Sequence, residues 1–144
     1  MEHLTLRPAS LSDASAIARL MEQLGYPTET QEMEERLTGL LSQSDYQTLV
    51  AERNRRIVGM IGLHVGHSYE KNGVYGQIVA LVVEQAHQGQ HIGSSLVAEG
   101  ERWLKTRGVQ IIIVNSGMHR QAAHRFYEHL GYQATGIRLV KTFA

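Results

Sequence analysis

Residues 81–94 read Leu81, Val82, Val83, Glu84, Gln85, Ala86, His87, Gln88, Gly89, Gln90, His91, Ile92, Gly93, Ser94: an aliphatic stretch, a small polar loop and the start of a helical spacing. A loop of this kind can hold a diphosphate. The first amides of a helix lack intrahelical acceptors and sit at the positive end of its dipole, and Gly89 and Gly93 let phosphate oxygens approach the backbone. No Gly-Lys-Ser/Thr follows, which excludes a P-loop, and the first glycine and acidic partner of a dinucleotide-binding unit are missing. Taken alone, the loop reads equally well as a plain connection.

The chain has no cysteine, so thiolate catalysis, disulfides and thiolate zinc sites are excluded. Eight histidines raise the question of a metal, but His64 and His67 are three apart on a strand-like segment and point to opposite faces, so no metal site is expected. Glu29, Glu32, Glu34 and Glu35 read as a solvated helix face, or as a patch that attracts a cationic amine, with Glu32 and Glu35 as the candidates for that role.

The elements that position these residues follow from periodicity. A strand at 3–7 leads to Ser10 and Asp13 at capping-box spacing and a helix with Ile17, Leu20, Met21 and Leu24 on one face, closed by Gly25. Thr28 and Gln31 start a second helix with Met33, Leu37, Leu40 and Leu41 inward. Strands at 49–52 and 57–65 flank a polar turn at 53–56, and Lys71, Asn72 and Gly73 make another turn. Residues 74–83 end in six aliphatic positions without alternation, as in a central strand covered on both faces. A helix from Ser94 buries Leu96, Val97, Gly100, Trp103 and Leu104 and stops at Gly108. A strand at 111–114, a helix with Ala123, Phe126, Tyr127 and Leu130 on one face, and a strand through Phe143 complete the chain. The expected class is α/β, a mixed, largely antiparallel twisted sheet flanked by about four helices in the order β-α-α-β-β-β-α-β-α-β, with a right-handed crossover at 74–114.

At 144 residues with 42% apolar content, one domain spanning 1–144 is expected. Basic and acidic residues balance at 14 each, and no basic run offers a face to nucleic acid or to an anionic membrane. Residues 1–11 lack the apolar core of a secretory leader and no aliphatic stretch is long enough to span a bilayer, so the expected location is cytoplasmic.

With these elements in place, Gln88, His91 and Gly93 resemble the acetyl-CoA-binding motif of the GCN5-related N-acetyltransferase (GNAT) family: Arg or Gln, two residues, Gly, one residue, then Gly or Ala. The departure is His91, where the family usually has its first glycine, so the backbone there must carry a side chain. Asn115 and the run Arg120, Gln121, Ala122, Ala123, His124, Arg125, Phe126, Tyr127, Glu128, His129, Leu130, Gly131, Tyr132 resemble the second signature, an Asn, two residues, Ala, then aromatic-Tyr-Glu and Leu-Gly-aromatic, with Arg120 where Asn is common. A shorter resemblance, through 59–64, 81–83 and 123–127, is to the aminoalkylphosphonate N-acetyltransferases.

The resemblance implies acetyl transfer from acetyl-CoA, as co-substrate, to a primary amine by direct attack in a ternary complex. It implies that Leu81, Val82 and Val83 pair with pantetheine, that Gln88, Gly89, Gln90, His91, Ile92, Gly93 and Ser94 take the diphosphate, and that Asn115, Arg120 and Ala123 line the coenzyme. Tyr127 would protonate the leaving thiolate; its other reading is a packed core aromatic. Members of the family often carry a glutamate base on the strand at 74–83, but this chain has Gln77 and Ala80. The base stays open, with His64 as candidate beside its reading as a structural histidine. The expected partner is a small-molecule amine, with a protein or peptide amine, or a non-catalytic acyl-CoA-binding role, as alternatives. A homodimer through 134–143 is expected by the same resemblance.

Overall fold

The computed structural model describes residues 3–115, 121–136 and 138–143 and comprises two compact units, Met1–Ile113 and Val114–Ala144. The first holds β1 (Leu4–Pro8), α1 (Ala14–Leu24), α2 (Thr30–Leu41), β2 (Tyr46–Arg53), β3 (Arg56–His67), β4 (Val74–Val83) and α3 (Ile92–Thr106), while β5 (Ile112–Val114) straddles the boundary. The sheet order is β1-β2-β3-β4-β5, and its first three pairings are antiparallel. Among the described residues the middle strand is thus β3, not β4 as its aliphatic run suggests, because β5 alone of the described strands lies beyond β4.

Local chemistry sets the boundaries. Asn54 and Arg55 both have positive φ, 52° and 62°, the combination a two-residue hairpin turn needs to match the strand twist. Gly25 closes α1 at φ 104°. The second helix starts at Thr30, later than Thr28 and Gln31 suggest, because Glu29 N donates to Glu32 Oε1 at 2.9 Å. Thr28 instead donates to Tyr26 O.

Two apolar layers sandwich the sheet. On one face Ile17, Ala18 and Leu20 of α1 and Met33 and Leu37 of α2 pack with Val50, Met60 and Val82. On the other, Leu96, Val97, Gly100 and Leu104 of α3 are buried, and Gly100 lies so close to Leu63 and Ile61 that an added Cβ would meet them at 3.1 and 3.3 Å. Trp103 sits at the edge of this stripe, half-buried, with the Arg107 guanidinium 5.2 Å from its ring centroid.

The second unit contains α4 (Gln121–His129), closed by Gly131 at φ 95°. Tyr127 packs edge-on against Phe126 and Tyr132, with centroids 5.2 and 5.5 Å apart. The expected last strand is not formed among the described residues. Leu139, Val140 and Phe143 are 89, 72 and 84% exposed, so no apolar burial rewards extended pairing there. No helix among the described residues is long and apolar enough to cross a membrane.

Candidate active site

The missing alternation in β4 has a structural cause. Gly62 pairs with Ala80 but Leu63 pairs with Ile78, which makes Val79 an extra residue, a β-bulge. Ile78 therefore shares the α3 face with Leu63, while Ala80, two residues on, packs against the α1–α2 core. A regular strand would place both on one face. The bulge leaves Val79 half-exposed at 51% and interrupts the ladder in the middle of β4. The neighbouring β5 starts beside Gly76, whose N–H donates to Ile111 O at 2.8 Å, and with three residues against ten it matches only part of β4.

From Val83 the chain enters the loop through Glu84. This carboxylate is 8% exposed and is held by the Arg56 guanidinium through two hydrogen bonds, with His87 Nδ1 3.0 Å and Arg19 Nε 3.6 Å away. Arg56 chiefly holds the Glu84 carboxyl below the usual range against the opposing effect of burial. Glu84 is thus a fixed anion that ties the loop to α1 and to the β2–β3 turn. Its backbone N–H donates to Val58 O at 2.7 Å, Gln88 Nε2 to Val83 O at 3.3 Å, and Gln90 Oε1 accepts from Arg53 Nη1.

The loop ends at His91, which has φ 65° and ψ 16° and caps α3. This left-handed conformation is natural for glycine and costs a side-chain-bearing residue about 1 kcal/mol. It is held because His91 O accepts from Ser95 N at 3.1 Å, Ser95 Oγ at 2.8 Å and Ser94 Oγ at 3.1 Å, while Ile92 is buried to 1%. The Ser95 amide makes the first helical bond, so by helix geometry the amides of Ile92, Gly93 and Ser94 are left to an outside acceptor. Gly89 reaches φ 81°, and a Cβ placed there would meet nothing within 4 Å, which leaves the loop open on that side.

Beside the bulge, between α2 and the sheet, lies a slot of about 170 Å³. Its floor includes Thr48, Met60, Gly62, Val79 and Ala80, its roof Met33, Leu37 and Leu40, and its rim Arg36 and Tyr46. Tyr46 stacks on His64 with centroids 4.3 Å apart, and His64 pairs across the sheet with Gln77. His64 therefore borders the slot through Tyr46, and no carboxylate lines the slot among the described residues. A larger cleft of about 380 Å³ runs between the start of α1 and the β2–β3 turn. Its Arg7 is bound to Asp13 and Glu52, its Arg19 and Arg56 face Glu84, and Arg55 also lines it.

A family model, "Acetyltransferase (GNAT) family", matches residues 14–132. The chain belongs to the GNAT family. An aminoalkylphosphonate N-acetyltransferase of Salmonella typhimurium is 32% identical to this GNAT chain over 138 residues, 94% of the chain and 89% of the relative. A GNAT family acetyltransferase of Staphylococcus aureus has a solved structure similar at TM-score 0.84 and 26% identity, over 97% of this chain and 98% of that one. A Bacillus halodurans structure described as a transcriptional regulator is similar at TM-score 0.90 and 25% identity, over 98% and 100%. The family uses acetyl-CoA, and its fold is the α/β architecture described above.

Of the positions singled out in the sequence, Leu81, Val82, Val83 and the run Gln88 to Ser94 come together as one strand end, loop and helix start. Asn115, exposed after β5, and Ala123 and Tyr127, half-buried on α4, belong to the second unit. Arg120 lies outside the described residues. Glu32 and Glu35 do not line the slot; Glu32 caps its own helix instead. Three features escape the sequence: Glu84 as the anchor of the loop, the bulge at Val79, and Arg36 at the slot. The three-residue distance from Glu84 to His87 was the available sign of the first, and the broken alternation was that of the second.

Proposed function

We propose that this GNAT chain transfers the acetyl group of acetyl-CoA to a primary amine of a small molecule by direct attack in a ternary complex. The observation that carries the reading is the left-handed cap at His91, which leaves the Ile92, Gly93 and Ser94 amides for a diphosphate at the end of the bulged strand that borders the slot. The coenzyme's pantetheine pairs with the backbone of Leu81, Val82 and Val83, its diphosphate takes residues 88–94, and Asn115, Arg120 and Ala123 contact it from the second signature.

The amine enters the slot and attacks the thioester carbon. The carbonyl oxygen gains charge as the bond forms, and backbone N–H groups at the interrupted part of β4 polarise it. Collapse expels coenzyme A as a thiolate, to which Tyr127 gives its proton. Burial pushes the Tyr127 hydroxyl up to about 12, so it carries its proton at neutral pH but gives it up less readily than an exposed tyrosine, and the transfer draws on the charge that builds on the departing sulfur. His64, an imidazole beside the slot-lining Tyr46, accepts the amine proton, directly or through water. The work takes place in the cytoplasm, on a homodimer joined through residues 134–143.

The test is release of free thiol from acetyl-CoA with a panel of amines: aminoalkylphosphonates, on which the Salmonella relative is named to act, with polyamines, aminoglycosides, amino acids and an amino-terminal peptide. The chain has no cysteine of its own to react with the reagent. Amine-dependent release that falls in Tyr127→Phe supports the reading. Stabilisation by acetyl-CoA with no release for any amine supports a non-catalytic acyl-CoA-binding role.

A further inference from the structure

We propose that Arg36 selects the acceptor: the amine that enters the slot carries an acidic group, which the Arg36 guanidinium holds at the rim. This rests on the reading of the slot as the acceptor site. Among the described residues that line it, Arg36 is the charged one, and the rest are apolar or neutral.

The arginine is available because its natural helical partner is occupied. Glu32 stands one turn earlier on α2, at the spacing where a glutamate pairs with a following cation. Its carboxylate is turned to the Glu29 N–H at 2.9 Å, closing the helix start. Arg36 Nη1 donates to the neutral Thr28 Oγ1 over a long 3.3 Å, and Thr28 is itself fixed by donating to Tyr26 O at 2.7 Å. A guanidinium held this lightly keeps the planar fork of donors that matches a carboxylate or a phosphonate.

The slot's size and polarity restrict the rest of the molecule. About 170 Å³ is below the roughly 300–1,000 Å³ of sites for drug-sized ligands, so the acceptor is short. A second ammonium would enter a slot with a cation at its rim and, among the described residues, no carboxylate to meet it. A polyamine or an aminoglycoside is therefore disfavoured, and a short chain with an amine at one end and a phosphonate, phosphate or carboxylate at the other is favoured.

Four probes of similar length separate these classes: 2-aminoethylphosphonate, β-alanine, ethanolamine and ethylenediamine. The expected order of kcat/KM puts the two acids above ethanolamine and ethylenediamine last. In Arg36→Met the ratio of kcat/KM for 2-aminoethylphosphonate over ethanolamine falls about tenfold, as loss of one charge-assisted contact predicts, with the change in KM and not kcat; Arg36→Lys keeps part of the preference. An unchanged ratio in Arg36→Met, or a wild-type preference for ethylenediamine, overturns the proposal. Calorimetric binding of 2-aminoethylphosphonate to the coenzyme A-loaded protein reads Arg36 without turnover. Binding that weakens in Arg36→Met while no amine is acetylated strikes the transfer reading alone, and binding equal in both proteins strikes this one.

Discussion

The Arg56 guanidinium grips both carboxylate oxygens of Glu84 where β4 gives way to the loop. The contact joins the first residue of β3 to the residue that follows β4, so the loop's position is set by the hairpin on one side and by the buried Ile92 on the other. A diphosphate cradle of backbone amides works only when the backbone is held in advance, since each amide contributes through its direction.

Replacing Glu84 should therefore act on the coenzyme. Glu84→Gln leaves Arg19 and Arg56 facing each other without an anion, and the expected result is a higher KM for acetyl-CoA with a smaller effect on the KM for the amine. Initial-rate kinetics with each substrate varied in turn reads the difference.

The same carboxylate gives a pH dependence with a definite sign. Its native pKa is lowered from the ordinary 4.5, so its contribution to stability is present above that value and is lost as pH falls through the lowered native one. Asp13, held down chiefly by Arg7 from an ordinary 3.8, acts in the same direction. Chemical denaturation from pH 6 to about pH 3 should show a fall in stability in the acid range that is reduced in Glu84→Gln.

His91 carries the cost of a left-handed backbone. His91→Gly removes a penalty of about 1 kcal/mol and gives back part of it through the freer unfolded chain, for a small net rise in melting temperature. His91→Ala keeps the left-handed geometry and should show no such rise. Thermal melts of the two variants beside the wild type check this.

Leu37 is 1% exposed and forms part of the slot's roof. Leu37→Ala should cost about 2–5 kcal/mol, measured by denaturant unfolding, and should widen the range of amines accepted towards bulkier ones.

The elements around the site are largely legible in the sequence, because Gly25, Gly108 and Gly131 stop their helices and take positive φ. The cradle is legible because its chemistry is local: residues 84–94 contain both the glycines and the helix start. Arg36 is not, because its meaning depends on Thr48, Gly62 and Ala80, which only the fold brings near it, and on Glu32 being spent at the helix start. The bulge at Val79 shows in the sequence as missing alternation within an aliphatic run, a pattern that reads equally as a strand covered on both faces. The last strand, not formed among the described residues, has the opposite cause: residues 138–143 have strand-like composition, but composition alone does not make a strand.

Direct transfer is the central claim, and bisubstrate initial-rate kinetics with the best amine of the panel tests it most directly. Lines for acetyl-CoA at several amine concentrations should intersect in a double-reciprocal plot, because both substrates must be bound before the acetyl group moves and the chain has no cysteine to carry it between them. Parallel lines, with an acetylated enzyme recovered in the absence of amine, would contradict the account.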